Sequence, residues 1–214
     1  MGRTVQLTTR DRELLAALAR DVRVASVAQI ARAWFADSPE PVRSAERRMR
    51  DLSAAGLIER FAMLVRPELE LHAPLVRWRV EDPAPDFARL ATRLAARWSA
   101  PLVRTPLVIA SRAGGVQFGG AGGRRPRLSE VSHDVSLAAV YFKRFLKLRS
   151  SSAVWYSEAR LATLGFGDRK RLPDAMIEDG AVRTVIELGG TYSAVKLVAF
   201  HAFCEREKMN YELW

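Results

Sequence analysis

Cysteine is almost missing from this chain: Cys204 is the only one in 214 residues. That excludes an internal disulfide framework and any zinc knuckle built on several cysteines. Long apolar runs are missing too, and no stretch approaches the ~18–20 residues of a membrane-spanning helix. Arg3, Arg10, Asp11 and Arg12 stand where a signal peptide would carry its apolar core. These absences predict a cytoplasmic chain with no membrane partner. What is present is a globular composition, 49% hydrophobic and 27% charged, at a length suited to one large domain or two small ones.

Charge is the first positive signal. Lys and Arg number 34 against 24 Asp and Glu, a net +10. The excess is uneven: +4 over residues 1–100 (17 against 13), +7 over 101–150 (9 against 2) and −1 over 151–214 (8 against 9). Such a field concentrates polyanions, nucleic acid above all. Because 29 of the 34 cations are Arg, a coding bias would give the same count, so local pattern must decide.

Residues 7–60 read as three punctuated helices. Thr8 with Asp11 three residues on marks the first start, followed by Leu14, Leu15 and Leu18 at helical spacing. Ser26 with Gln29 forms a capping box for a second helix carrying Val27, Ile30, Ala31 and Trp34. Asp37 to Pro41 breaks it. A third helix is expected from about Val42 to Ala55, with Gly56 as its C-terminal stop. At ~100° per residue, Val42, Ala45, Met49 and Leu52 share one face, while Arg43, Arg47 and Arg50 share the opposite one. Ser44 and Arg48 lie at its edges. A helix anchored by an apolar stripe and studded outward with Arg suits the major groove, where guanidinium forks read guanine or clamp phosphate. The blander reading is a solvated helix whose Arg residues pair with Glu46 or Asp51.

In this order the segment resembles a winged helix-turn-helix. Leu57–Val65 and Leu75–Val80 would be its two wing strands, joined by a tip with Arg66, Pro67, Glu68 and His72. Arg60, Arg77 and Arg79 would then be phosphate contacts, and His72 a surface loop residue.

Beyond Pro83 and Pro85, Asp86–Trp98 reads as an amphipathic helix that packs the two halves together or meets a second copy of the chain. Leu107–Ala110 and Val116–Phe118 suggest a hairpin around Gly114-Gly115. Six of the 13 glycines lie between 114 and 123. They fit neither the phosphate loop nor the dinucleotide fingerprint, so a mobile loop through Arg127 is expected, with Arg124, Arg125 and Arg127 near DNA backbone.

The last third opens with a helix from His133-Asp134 that ends in Lys147 and Arg149. A short helix with Trp155 and Glu158 stops at Gly165. Pro173-Asp174 starts a strand, Asp179-Gly180 turns it, and Val182–Leu188 returns with Glu187 inside. A helix over Ser193–Glu207 carries Lys196, and its His201 and Cys204 face the sheet. Tyr211–Trp214 is a final strand. A helical Glu, a Pro-Asp and a strand Glu in this order resemble the PD-(D/E)XK nuclease fold. That resemblance implies Glu158, Asp174 and Glu187 as the carboxylates, with Asp174 and Glu187 holding Mg²⁺. Its Lys position is Gly189 here, for which Lys196 would have to substitute.

Together, Leu7-Thr8-x-Arg10-Asp11 with Leu14-Leu15, Arg47–Leu52 with Gly56-Leu57-Ile58-Glu59-Arg60, His133-Asp134, and Pro173-Asp174 with Glu187 resemble the replication-relaxation family of mobile-element proteins. The resemblance implies an α+β chain. Its parts would be a winged helix-turn-helix (residues 1–82), a connecting helix, hairpin and Gly/Arg-rich loop (83–130) and a nuclease-like αβ domain (131–214). The function expected is double-stranded DNA binding, as a transcriptional or replication regulator of a plasmid or other mobile element, as a monomer or homodimer. The nuclease-like domain would be inactive and no cofactor needed. The alternatives are a Mg²⁺-dependent endonuclease using Glu158, Asp174, Glu187 and Lys196, or a protein-interaction module.

Overall fold

The computed structural model describes residues 5–146, 152–166 and 172–214. The fold is mixed α+β with two sheets. Two compact units divide it, and both are discontinuous in sequence. The first takes Met1–Glu68 and Leu102–Lys143, the second Leu69–Pro101 and Arg144–Trp214.

In the first unit, α1 (Thr9–Ala16) starts at a reciprocal capping box between Thr8 and Asp11. A π-helical turn, Ala17–Asp21, extends it. After β1 (Ala25–Ser26), the expected Ser26–Gln29 box opens α2 (Val27–Trp34). Pro41 occupies the first turn of α3 (Pro41–Ala54), where its missing N–H costs nothing. Gly56, at φ +75°, turns the chain into β2 (Ile58–Val65). Leu14, Leu15, Ile30, Ala45, Met49 and Leu52 are all buried, so the predicted stripe of α3 does point inward. Val42 departs from it, being 50% exposed in the first turn of the helix.

The partner of β2 is the main departure from the expected order. Leu75–Val80 does not pair with it. Its central residues form β3 (Val76–Trp78), in the second unit's sheet. β2 pairs instead with β4 (Val103–Ala110), antiparallel along its whole length from Ile58↔Ala110 to Val65↔Val103. β1 adds to the other edge of β4, giving the order β1-β4-β2. The segment expected as a connector is thus split, with its helix α4 (Phe87–Arg97) in the second unit and β4 in the first.

The predicted Gly114-Gly115 hairpin is a helix, α5 (Arg112–Gln117), because the Ser111 hydroxyl caps it by accepting from Gly114 N. A Cβ at Gly114 would lie 2.0 Å from the Leu57 carbonyl oxygen, so this glycine serves close packing. The following loop is fastened rather than free: Gly120 N–H donates to Gly115 O, Ala121 N–H to Ala19 O and Gly123 N–H to Ala110 O. α6 (Val131–Val140) runs on into a π-helical stretch, Tyr141–Phe145. Its Val131 and Val135 pack with Val24, Val65, Leu107 and Ile109 over the side of the sheet that carries Phe61 and Met63. Lys147 and Arg149 lie outside the described residues.

The second unit holds β3, α4, β5 (Val154–Ser157), α7 (Glu158–Thr163), β6 (Ala175–Asp179), β7 (Val182–Glu187), α8 (Ala194–Arg206) and β8 (Asn210–Leu213). Trp155 is in β5 rather than on a helix, and it is buried there. The expected hairpin at Gly180 joins β6 to β7. The sheet runs β3-β8-β7-β6-β5, parallel only between β7 and β8, which α8 connects. α8 packs Phe200 and Cys204 onto Trp78, Val185 and Tyr211, and α4 packs Leu90 and Leu94 against Leu197 and Leu213. His201 and Cys204 therefore face the sheet, as the sequence indicated, with His201 Nδ1 3.1 Å from the Tyr211 hydroxyl. No helix among the described residues is long and apolar enough to cross a membrane.

Candidate nucleic-acid interface

α3 is held in place by what lies under it. Ala45, Met49 and Leu52 are fully buried, which leaves the opposite face to solvent. Arg43, Arg47 and Arg50 are exposed on that face. Arg43 pairs with Glu40, 3.1 Å away and itself exposed, a pair worth little in water. Its loss to a phosphate would cost correspondingly little.

The two edge residues have other duties. Ser44 Oγ lies 2.7 Å from Ser38 Oγ and closes the turn between α2 and α3. Arg48 is a clasp. Its Nε and Nη2 donate to the two carboxylate oxygens of Asp11 at 2.9 and 2.6 Å, and Nη2 also donates to the Gln6 carbonyl at 2.8 Å. Asp11 is 1% exposed. Burial pushes its carboxyl up, but hydrogen bonds from Arg48 and Thr8 outweigh this and hold it below the ordinary aspartate value. The same pairing raises the Arg48 guanidinium. The helical wheel put Arg48 beside the presumed DNA face because it reads angle, not the acidic partner on α1.

On β2, residues alternate between the α6 side and the other face. Arg60 lies on that other face with Ala62 and Leu64, all exposed. Register puts Leu64 opposite Arg104 of β4, so Arg60 and Arg104 share it. Arg104 was not singled out from the sequence. Its signal, a cation near the start of an apolar strand, becomes meaningful only once β4 is known to pair with β2. Arg77 and Arg79, read as wing contacts, are on or beside β3 in the second unit. Arg125 sits 3.4 Å from Glu59 with its guanidinium over the Phe61 ring, and Arg127 lies 3.8 Å from Glu130. His72 is on an exposed stretch.

The nuclease-like residues are brought partly together. Ala175↔Ile186 pairing makes Asp174 and Glu187 neighbours across β6 and β7. Asp174 Oδ2 accepts from Leu188 N at 2.7 Å, and the buried Glu187 accepts from the Tyr192 hydroxyl at 2.7 Å. Glu158 heads α7, donating its N–H to the Asp174 carbonyl. The Lys196 ammonium lies over the Tyr192 ring, 3.4 Å from its centroid. At the fold's Lys position, a Cβ on Gly189 would meet Leu94 Cδ2 at 2.3 Å, and Trp98 Nε1 donates to the Gly189 carbonyl. The Leu94 side chain of α4 thus occupies the space that a Cβ at this position would need. Among the described residues, no group of three His, Cys, Asp or Glu is disposed to hold a metal ion.

No protein-family model, curated protein or solved structure matches the chain.

Proposed function

We propose that this chain binds double-stranded DNA, that its first unit is a winged helix-turn-helix, and that α3 is the recognition helix. One observation carries the reading: Arg43, Arg47 and Arg50 stand exposed on the face of α3 directly opposite its buried Ala45, Met49 and Leu52. Support comes from the element order, three helices followed by an antiparallel pair, β2 and β4, with a short β1 at the edge of β4. Arg60 and Arg104 supply further phosphate contacts from the strand pair. Following the family resemblance, the role is regulation of transcription or replication of a mobile element, with a homodimer compatible with a two-fold site. The second unit is proposed to be non-catalytic, which the crowding of Gly189 by Leu94 supports. The adjacency of Asp174 and Glu187 favours the second reading, a Mg²⁺-dependent endonuclease.

The test is fluorescence anisotropy with duplex DNA over a salt series. Each phosphate neutralised contributes about −0.9 to the slope of log K against log salt. Replacing Arg43, Arg47 and Arg50 together with Ala should abolish binding at moderate salt, with an unchanged circular dichroism spectrum and melting temperature. Undiminished affinity of a folded triple variant refutes the assignment of α3.

A further inference from the structure

One face of the second sheet packs on α8 through Trp78 and Tyr211. Residues of the opposite parity project to the other side. There Arg77 lies directly across from Glu212, and Thr184 across from Asn210. With Arg79 and Arg144 they line a cavity of about 650 Å³, within the range that encloses small-molecule ligands.

The carboxylate at its floor organises this site. Glu212 is buried and accepts from Arg144 Nε on both oxygens, at 3.1 and 3.3 Å, and from Trp214 Nε1 at 3.0 Å. Arg77 Nε lies 3.6 Å from the same carboxylate. Both guanidiniums are therefore approached through Nε, and their Nη amino groups remain to donate. Asn210 Oδ1 accepts from Val80 N, which leaves the amide nitrogen as a further donor. Among the described residues, three Arg against one Glu line the cavity and make it cationic. A simple structural ion pair needs one guanidinium, whereas here three converge with polar side chains on one concavity. Planar forks of this kind match the oxygens of a phosphate.

We infer that this cavity binds a small phosphate ester, with Arg77, Arg79 and Arg144 as the anion-holding residues and Glu212 as the group that positions two of them. A DNA-tracking surface would spread its cations along an open stripe, but these three line one cavity. The inference is independent of the role of α3.

Isothermal titration calorimetry on the full chain tests it, with inorganic phosphate, adenosine 5′-monophosphate, adenosine and a duplex oligonucleotide as probes. Phosphate and the monophosphate should bind saturably, and adenosine should not. Arg77 and Arg79 are exposed, so the variant carrying both Arg77→Ala and Arg79→Ala should keep its melting temperature. It should bind the monophosphate at least about tenfold more weakly, since each fork contributes charge-assisted hydrogen bonds. The Arg43/Arg47/Arg50 variant should bind it as the wild type does. Three results would overturn the inference: no saturable phosphate binding at millimolar concentration, unchanged affinity in the folded variant, or an effect of Arg77 and Arg79 on duplex binding alone.

Discussion

Replacing Arg48 with Ala separates architecture from the proposed DNA recognition on a single helix. The Asp11 side chain is 2% exposed and that of Arg48 18%, so the pair is held largely out of water. Removing one partner of a buried pair costs about 3–5 kcal/mol, because the other charge is left uncompensated. Asp11 keeps hydrogen bonds from the Thr8 backbone and hydroxyl at 2.8 and 2.6 Å, which places Arg48→Ala at the lower end, about 3 kcal/mol. At ~2–4 °C per kcal/mol for a chain of this size, the melting temperature should fall by roughly 10 °C. The pH dependence has a definite sign. The folded Asp11 carboxyl titrates below its ordinary value, so its contribution is full above the unfolded pKa of about 3.9 and is lost as pH falls through the lowered folded value. Wild type and Asp11→Asn should thus differ in stability at pH 7, begin to converge below about pH 3.9 and meet only below the lowered folded value. Thermal melts followed by circular dichroism at both ends of this range are the measurement. If Arg48→Ala melts like wild type while losing DNA affinity as Arg47→Ala does, the clasp is misassigned and Arg48 belongs to the interface.

Two further outcomes follow from the packing. Leu52→Asp should unfold the first unit, since a charge would enter a fully buried position beside Met49 at a cost of several kcal/mol; a wild-type melt would show the phase of α3 to be wrong. Gly189→Ala should destabilise the second unit by roughly 1–3 kcal/mol through overpacking against Leu94, and no Mg²⁺-dependent nicking of plasmid DNA is expected from the wild type. Metal-dependent cleavage abolished by both Asp174→Ala and Lys196→Ala would instead promote the endonuclease.

The helix starts of the first unit were legible because they are local. Thr8 with Asp11 and Ser26 with Gln29 each act within one turn, so three or four residues contain the whole argument; Pro41, read as a break, is instead the first residue of α3. Gly56, Gly165 and Gly180 likewise announced their turns through a backbone that only glycine adopts readily. Strand partnership was not local. Val76–Trp78 alternates like a strand, yet nothing in three residues says whether β2 or β8 lies beside it. Gly114 and Gly115 read as a turn because their actual use, admitting the backbone at Leu57 and Ala121, depends on residues remote in sequence. Arg48 failed for the same reason: its angular position was right and its partner invisible. The cavity at Glu212 was missed entirely, since it joins β3, β7, β8 and Arg144, which are scattered along the chain.

The interrupted β2–β4 pair also sets an order of events during synthesis. β2 has no partner until Val103–Ala110 has been made, so its Ile58 and Val65 must wait unpaired while a foreign strand and helix emerge. β3 waits longer still, because Val76 pairs with Leu213. The first unit can close once residue 143 has been made, whereas the second must wait for β8 near residue 213, and a fragment ending at residue 82 would carry β2 as a bare apolar edge. Production of the first unit alone calls for joining residue 68 to residue 102 through a short designed turn, which turns an interrupted strand pair into a continuous hairpin.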